Sequence, residues 1–234
     1  MRIFKSANEF NWRYALGEVL LIVIGVSIAL AANSWYENRQ LRGDEVAFLK
    51  QLQVTLHEDL KAITTDYNTI KRVNENIEFF VNNLNIREPN QDDLTKGIRA
   101  ATRFVTLNLR YGPYETLKAR GISLISNESL GVTITSLYED EIPNLVEDSI
   151  IDRRLVRDHM LPPILDWFWL DTSQNWHPKE TLSASWRSDL ATLGRYRART
   201  LAGYYLPSFE RTIKLTSDAL ADIEAELKQR QSNE

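Results

Sequence analysis

Hydrophobic residues follow two different patterns along this chain. Residues 15–35, ALGEVLLIVIGVSIALAANSW, form one apolar run, and the residues after it are mostly polar with helical spacing of the apolar positions. A run of ~20 apolar residues rising ~1.5 Å each matches a hydrocarbon core of roughly 30 Å. The aromatic residues Trp12 and Tyr14 on one side, and Trp35 and Tyr36 on the other, suit the two membrane interfaces. The pattern predicts a single membrane-spanning helix.

A cleaved signal peptide is the alternative interpretation of this segment. Residues 29–32, Ala-Leu-Ala-Ala, fit a small-residue cleavage site. The apolar run is longer than the usual signal core of roughly 7–15 residues, however, and it contains Glu18. We therefore predict that the segment is retained as an anchor.

The orientation of the anchor rests on its short N-terminal side. Lysine and arginine counts tie between the two flanks, with Arg2, Lys5 and Arg13 before the span and Arg39, Arg42 and Lys50 after it. A segment of this form usually leaves a short tail inside the cell. We expect a cytoplasmic tail over residues 1–14, a transmembrane helix over 15–35 and an extracytoplasmic domain over 36–234.

The first part of that domain has a heptad-like stripe between residues 44 and 84. Its apolar members are Leu49, Leu52, Leu56, Leu60, Ile63, Tyr67, Ile70, Ile77, Val81 and Leu84. Steps of three and four, without Pro or Gly, predict one helix of about 40 residues. The polar stretch 85–93 ends it, and Asp92 or Asp93 is expected to cap a short helix over about 92–108.

Two further helices are predicted in the middle of the chain. Residues 113–120 form a short helix that Gly121 stops, with Tyr114 and Leu117 facing a core. The next helix begins with Ser126 or Asn127 as its cap. It is expected to run to about residue 160, with a bend at Pro143 and a break at Pro162-Pro163.

The last third combines an aromatic-rich segment with a final long helix. Residues 164–186 predict an irregular loop or short helices. A helix over about 188–229 carries the stripe Leu193, Leu201, Tyr204, Tyr205, Phe209, Ile213, Leu220, Ile223 and Leu227. Hardly any segment alternates like a strand. The expected fold is all-α: an N-terminal transmembrane helix and an antiparallel helical bundle with long first and last helices.

Two segments carry a resemblance. The first is Gly17-Glu18-Val19-Leu20-Leu21 with Gly25, Ala29-Leu30, Asn33, Trp35 and Glu37, and the second is Tyr114-Glu115-Thr116-Leu117-Lys118 with Gly121, Leu124-Ile125-Ser126-Asn127, Leu130 and Leu137-Tyr138. In order and spacing the chain resembles an uncharacterised family of bacterial single-pass membrane proteins without an assigned function. The resemblance implies a bacterial inner-membrane anchor with a periplasmic helical domain, and it brings no catalytic residues.

The span contains residues suited to helix–helix contact. Gly25, Ala29 and Ala32 share one helix face, and small residues of this kind let two backbones approach closely. Glu18 is a carboxylate within the apolar run, which is costly in hydrocarbon unless a partner or the headgroups relieve it. We expect this face to contact another membrane protein or a second copy of the chain, in addition to lipid.

A second candidate surface is the run Trp167, Phe168, Trp169 and Leu170. Three aromatic residues and a leucine in succession cannot all enter one core from a short element. Exposed aromatic patches mark protein or membrane contacts. The alternative is a cap over the end of the bundle.

Composition and motifs give no support for catalysis. The chain has no cysteine, which excludes a disulfide or a thiolate metal site, and its histidines, His57, His159 and His177, form no paired-ligand pattern. A net charge of −4 offers no basic surface for nucleic acid. No cofactor loop stands out, and the acidic runs 57–59 and 139–141 are expected to lie on solvated faces.

The sequence therefore predicts a non-enzymatic, membrane-anchored helical subunit or scaffold that associates with another membrane protein or with itself. The alternative is an extracytoplasmic ligand sensor that signals through a partner, because the short N-terminal tail has no room for an output domain.

Overall fold

The computed structural model describes residues 12–84, 89–180 and 185–232. The predictions for the tail over residues 1–11 lie outside this part of the chain. The chain divides into two units, residues 1–47 and 48–234, and helix α1 (Trp12–Leu84) contributes to both. In the first unit, every side chain from residue 16 to 43 is exposed. An 18-residue window there has a mean hydropathy of 2.1, so the helix is long and apolar enough to cross a membrane.

The described part of the second unit is mostly helical and contains one small hairpin. Its further elements are α2 (Gln91–Thr102), α3 (Gly112–Arg120), a 3-10 turn (Ile122–Leu124), α4 (Glu128–Ser136), π1 (Leu137–Glu141), α5 (Ile142–Leu155), π2 (Val156–Met160), α6 (Leu161–Trp167), β1 (Phe168–Leu170), β2 (Trp176–Pro178), α7 (Trp186–Thr200), π3 (Leu201–Tyr205) and α8 (Leu206–Gln231). The predicted all-α class with long first and last helices is confirmed.

The first and last helices run antiparallel. Gln53 Nε2 lies 3.4 Å from Glu224 Oε1, whereas Tyr67 donates its hydroxyl to Glu210 Oε1 at 2.8 Å. Residue numbers rise along α1 as they fall along α8. The stripe predicted on α1 is buried from Leu49 to Leu84 except for Leu60 and Tyr67, which are half-buried. Burial of this stripe and of the apolar stripe on α8 favours the pairing of the two helices.

The helix ends agree with the sequence in two places and differ in two. Asn127 caps α4 by accepting from the Leu130 N–H, and Gly121 ends α3 at a φ of 97°, a conformation that favours glycine. The cap of α2 is Asn90, which accepts from the Asp93 N–H, so the assignment to Asp92 or Asp93 was wrong. Helix α2 also ends at Thr102 instead of about residue 108, and residues 103–108 are not helical.

Proline does not break the long helical segments, contrary to the prediction at Pro162-Pro163. Within the described residues each π turn is followed by a helix whose second residue is proline: Pro143, Pro162 or Pro207. The turns close with N–H to O=C bonds five residues back, as from Ile142 to Leu137. A proline ring clashes with the carbonyl four residues earlier in a regular helix. The wider turn removes that clash, and the chain stays helical.

The aromatic segment forms an antiparallel hairpin, which the prediction of a loop or short helices missed. Phe168 pairs with Pro178, Trp169 with His177 and Leu170 with Trp176. On the final helical segment, Tyr204 is exposed although the stripe placed it inside. Tyr205, which the stripe also placed inside, is buried as predicted and lies in the π turn ahead of Pro207.

Two glycines fix the approach of helices to α1. A Cβ at Gly97 on α2 would lie 2.2 Å from Phe80, and one at Gly194 on α7 would lie 2.4 Å from Val81. Such distances are shorter than any real contact. These helices reach α1 at this distance only because both positions lack a side chain.

Candidate functional site

The predicted membrane contact lies on one face of α1 in the first unit. Gly25, Ala29 and Ala32 are exposed, and a Cβ at Gly25 would meet no described atom within 4 Å. At ~100° per residue, Glu18 falls only about 20° from Gly25 around the helix axis. The face therefore combines three small residues with one carboxylate, and the described residues leave it open.

The C-terminal end of the span carries an aromatic and basic cluster. Trp35 and Tyr36 are exposed, and the guanidinium of Arg39 lies 5.5 Å from the centre of the Trp35 ring. Asn33 donates to Glu37 across one turn at 2.8 Å. Aromatic rings with a neighbouring basic side chain are typical of the membrane–water interface. The side chains of Trp12 and Tyr14 lie outside the described residues.

The hairpin separates the four predicted aromatic-surface residues into two pairs. Phe168 is buried and meets the Trp186 ring edge-on at 5.4 Å, and Trp167 is half-buried against the core. Trp169 and Leu170 are 49% and 41% exposed. Two residues of the run therefore pack inward and two face outward, and a partner or membrane contact of the outward pair stays a prediction.

Polar contacts fix the exposed part of the hairpin. The Trp169 ring stacks on His177 with 4.7 Å between centres, and His177 Nε2 lies 2.9 Å from Asp171 Oδ2. Asp171 also accepts from the Asn175 N–H at 2.8 Å. This backbone hydrogen bond, followed by the one with His177, lowers the pKa of Asp171. The carboxylate stays charged and holds the turn that presents Trp169.

A tyrosine cluster joins the two ends of the second resembling segment. The rings of Tyr114 and Tyr138 stack with 4.7 Å between centres and an interplanar angle of 4°, and Tyr111 meets Tyr138 edge-on at 6.0 Å. The Tyr114 hydroxyl donates to Glu139 at 2.8 Å, and Lys118 Nζ lies 2.9 Å from the same oxygen. The sequence places Tyr114 and Lys118 far from Tyr138, and only the fold brings them together.

The electrostatics of this cluster favour a structural role. Burial, followed by the hydrogen bond to Glu139, raises the pKa of Tyr114 to about 12. The contacts with Lys118 and Tyr114 lower the pKa of Glu139. Near neutral pH the cluster therefore contains a neutral phenol that donates to a charged carboxylate, and this charge-assisted hydrogen bond joins α3 to π1. Glu139 and Glu141 of the acidic run thus pair with cations, whereas Asp140 is exposed as expected.

Asp59 was expected on a solvated face and is instead 1% exposed. Its carboxylate accepts from the Arg110 N–H at 3.2 Å, and Arg110 Nη1 lies 3.4 Å from Oδ1. Burial raises the pKa of Asp59, and Arg110 opposes that shift. The signal was present in the spacing, because residues 52, 56, 59 and 63 fall on one helix face.

Arg197 is a second buried charge that the sequence interpretation missed. It donates to the carbonyls of Ala100 at 2.9 Å and Ala101 at 2.6 Å, and to the carbonyl of Arg103. Asp152 binds the same guanidinium at 3.0 and 3.2 Å. These five bonds join the end of α2 to α5 and α7. Arg197 lies in step with the buried residues 190, 194 and 201, which was the available signal.

The described residues do not form a metal-binding site. No group of three or more His, Asp or Glu side chains there could hold a metal ion. The titratable clusters at Asp59, Glu139 and Asp152 each pair with a cation instead.

Comparison with known proteins places the chain in a family. The family model of DUF6090, a family of unknown function, matches residues 18–157, which is more than half of the 234-residue chain. The chain belongs to DUF6090. The matched segment contains the small-residue face of the span and the tyrosine cluster, whereas the hairpin and Arg197 follow it. No curated protein and no solved structure matches this DUF6090 chain.

Proposed function

We propose that this DUF6090 protein is a non-enzymatic subunit, anchored in a bacterial inner membrane by residues 15–35. Its helical domain lies in the periplasm and associates with another membrane protein or with a second copy. The observation that carries the proposal is the apolar run on α1, whose side chains are all exposed from residue 16 to 35. Apolar surface of this extent is stable only where lipid or protein covers it.

The face of Glu18, Gly25, Ala29 and Ala32 supports a protein as part of that cover. Small residues let a neighbouring helix approach until its backbone packs closely, whereas lipid chains gain nothing comparable from them. A carboxylate in the hydrocarbon is costly without a partner, and it lies on the same face. Both features favour a helix against this side and lipid against the opposite side.

The anchor also determines how the domain meets its partners. Confinement to the membrane surface turns a second contact into an intramolecular event with a high effective concentration. The exposed Trp169 and Leu170 are suited to such a contact, because aromatic side chains supply large contact area at low entropic cost. A weak periplasmic contact would then add to the one in the membrane.

Single-cysteine cross-linking tests the membrane contact directly, since the chain has no native cysteine. Ala29→Cys lies on the small-residue face, and Ser27→Cys lies at nearly the same depth about 200° around the helix. A contact between copies predicts oxidative dimers from Ala29→Cys and none from Ser27→Cys. Equal cross-linking at both positions would contradict a specific face.

A partner protein with a different sequence is detected by purifying the tagged chain in a gentle detergent and measuring the size of the complex. The tagged full chain is expected to run with a stoichiometric companion, and the Gly25→Leu/Ala29→Leu variant is expected to lose it. Ser27→Leu, which adds a leucine on the opposite face, is the control. A lone monomer in both measurements would overturn the subunit proposal and favour the ligand-sensing alternative.

Orientation has its own test. Ser6→Cys reports on the tail and Ser217→Cys on the exposed side of α8. A membrane-impermeant maleimide added to spheroplasts is expected to label only Ser217→Cys. Labelling of Ser6→Cys alone would place the helical domain in the cytoplasm.

A further inference from the structure

An open groove on the second unit gives information about the chemistry of a partner. It has a volume of about 620 Å³ and lies between the 3-10 turn and α4. Its lining residues are Ile122, Ser123, Ile125, Glu128, Gly131, Val132, Thr135, Ser136 and Asp140. Ile122 and Val132 are 42% and 64% exposed, so the groove presents apolar surface to the outside.

The shape of the groove matches a helix. Its long wall comes from residues 128, 131, 132, 135, 136 and 140, which follow one face of α4 and π1. The thirteen residues from 128 to 140 are separated by twelve rises of ~1.5 Å, so this face is about 18 Å long, or roughly three turns. The small side chains of Gly131, Thr135 and Ser136 form the floor of the groove. A second helix can therefore approach the backbone of α4 closely along this length.

The two ends of the groove are acidic. Glu128 is the first residue of α4, where the helix dipole favours its charge, and Asp140 lies in π1. Both side chains are exposed, and neither forms an ion pair with a described residue. Nearby Glu139, in contrast, is engaged by Lys118. The groove is thus apolar in the middle and negatively charged at both ends.

We propose that this groove docks an amphipathic helix of a partner protein, with apolar residues at i, i+4 and i+7 and a lysine or arginine near each end. The inference rests on the proposed function in one respect, because it requires that the domain binds a protein. Lipid is a poorer occupant, since phosphate headgroups would meet the carboxylates of Glu128 and Asp140. The pattern of one apolar stripe between two cations follows from the groove itself.

A synthetic helical peptide tests the proposal with the full-length protein in a lipid nanodisc. The labelled probe has about 18 residues, a leucine stripe and a lysine at each end, about three turns apart. A second peptide has the same stripe and glutamate in place of lysine. Fluorescence anisotropy is expected to show that the lysine peptide binds about tenfold more tightly or better, and that salt reduces the difference. Equal affinity of the two peptides would overturn the proposal.

Variants locate the binding site. Gly131→Leu fills the groove from its floor, where a Cβ would already lie 3.6 Å from Ile122, and Val132→Asp charges an exposed position in the middle. Both are expected to abolish binding of the lysine peptide. Glu128→Gln/Asp140→Asn is expected to remove its advantage over the glutamate peptide. Glu147→Gln/Asp166→Asn makes the same change in net charge at exposed positions elsewhere and serves as the control.

The outcomes separate this proposal from the proposed function. Each groove variant also carries Ala29→Cys, so that the membrane contact is measured in the same protein, and circular dichroism checks its fold. In the protein with an unaltered groove, a retained cross-link or companion without binding of the lysine peptide would overturn the groove proposal alone. An equal loss of binding in the Glu147→Gln/Asp166→Asn control would also overturn it, because attraction would then come from net charge.

Discussion

Nη2 of Arg197 lies 3.0 Å from Oδ2 of Asp152, inside the helical domain. Both side chains are almost completely buried, at 0% and 2% exposure. The same guanidinium also donates to two carbonyls at the C-terminal end of α2: that of Ala101, and that of Ala100, which accepts from the Arg103 N–H as well. One side chain therefore neutralises a buried carboxylate and caps a helix.

Loss of this guanidinium should be among the most damaging single changes in the domain. Arg197→Met leaves the buried Asp152 carboxylate without its cation and removes the hydrogen bonds to the Ala101 and Arg103 carbonyls, and we expect it to lower the free energy of unfolding by about 3–5 kcal/mol. Chemical denaturation in detergent, followed by circular dichroism, measures the change. Arg199→Met, an exposed position on the same helix, should stay within about 0.5 kcal/mol. Similar losses in both variants would contradict the role assigned to Arg197.

The close helix contacts at glycine predict a second pattern of stability. Gly97→Ala and Gly194→Ala place a methyl group inside Phe80 and Val81, respectively, so each should lower the free energy of unfolding by about 1–3 kcal/mol. Gly203→Ala, where a Cβ meets nothing within 4 Å, should instead be neutral or stabilising by up to about 1 kcal/mol. The three variants can be compared by thermal unfolding. Stabilisation of all three would show that the helices are not in close contact.

The tyrosine cluster predicts an alkaline transition. The pKa of Tyr114 is raised from 10.0 to about 12, so its contribution to stability is present below pH 10.0 and is lost as the pH rises through about 12. Burial also raises the pKa of Tyr138 and of Tyr205, which act in the same direction. Tyr114→Phe should make the fall in stability over this pH range less steep. Circular dichroism and tyrosinate absorbance measure it, and an unchanged slope would contradict the assignment.

The hairpin predicts opposite behaviour for neighbouring aromatic residues. Phe168→Ala should lower the free energy of unfolding by about 3–5 kcal/mol, because its ring is buried against Trp186. Trp169→Ser should cost far less, since its ring is half exposed and stacks mainly on His177. The same variant should weaken a periplasmic contact if the hairpin forms one. Equal destabilisation by both changes would place Trp169 in the core.

Much of the architecture was predictable from local patterns. The stripe on α1 predicted its buried face, and Asn127 and Gly121 predicted their helix ends, because caps depend on a few neighbouring residues. The proline positions were misinterpreted at Pro162. A proline excludes a regular α-helical turn, but it does not exclude a wider one, and the surrounding packing selects between a break and a π turn.

The candidate sites divide in the same way. The span, its small-residue face and the aromatic run could be found by spacing and composition. The sequence did not indicate which aromatic residues of that run face outward, because the hairpin register decides it. The sequence also did not indicate the groove beside α4. Its second wall is the 3-10 turn that precedes Ile125, and only the fold places that turn against α4.

The sequence by itself determined the apolar span, the helical class and the long first and last helices, because hydrophobic periodicity is a local property that burial must satisfy. The tertiary structure alone decided which charges are buried, with Arg197 and Asp152 brought together across 45 residues. It also decided that Tyr114 meets Tyr138 and that Tyr205 rather than Tyr204 enters the core. These contacts depend on how whole helices pack. The cost of burying a charge is offset only when packing brings all of its hydrogen-bond and ion-pair partners into place.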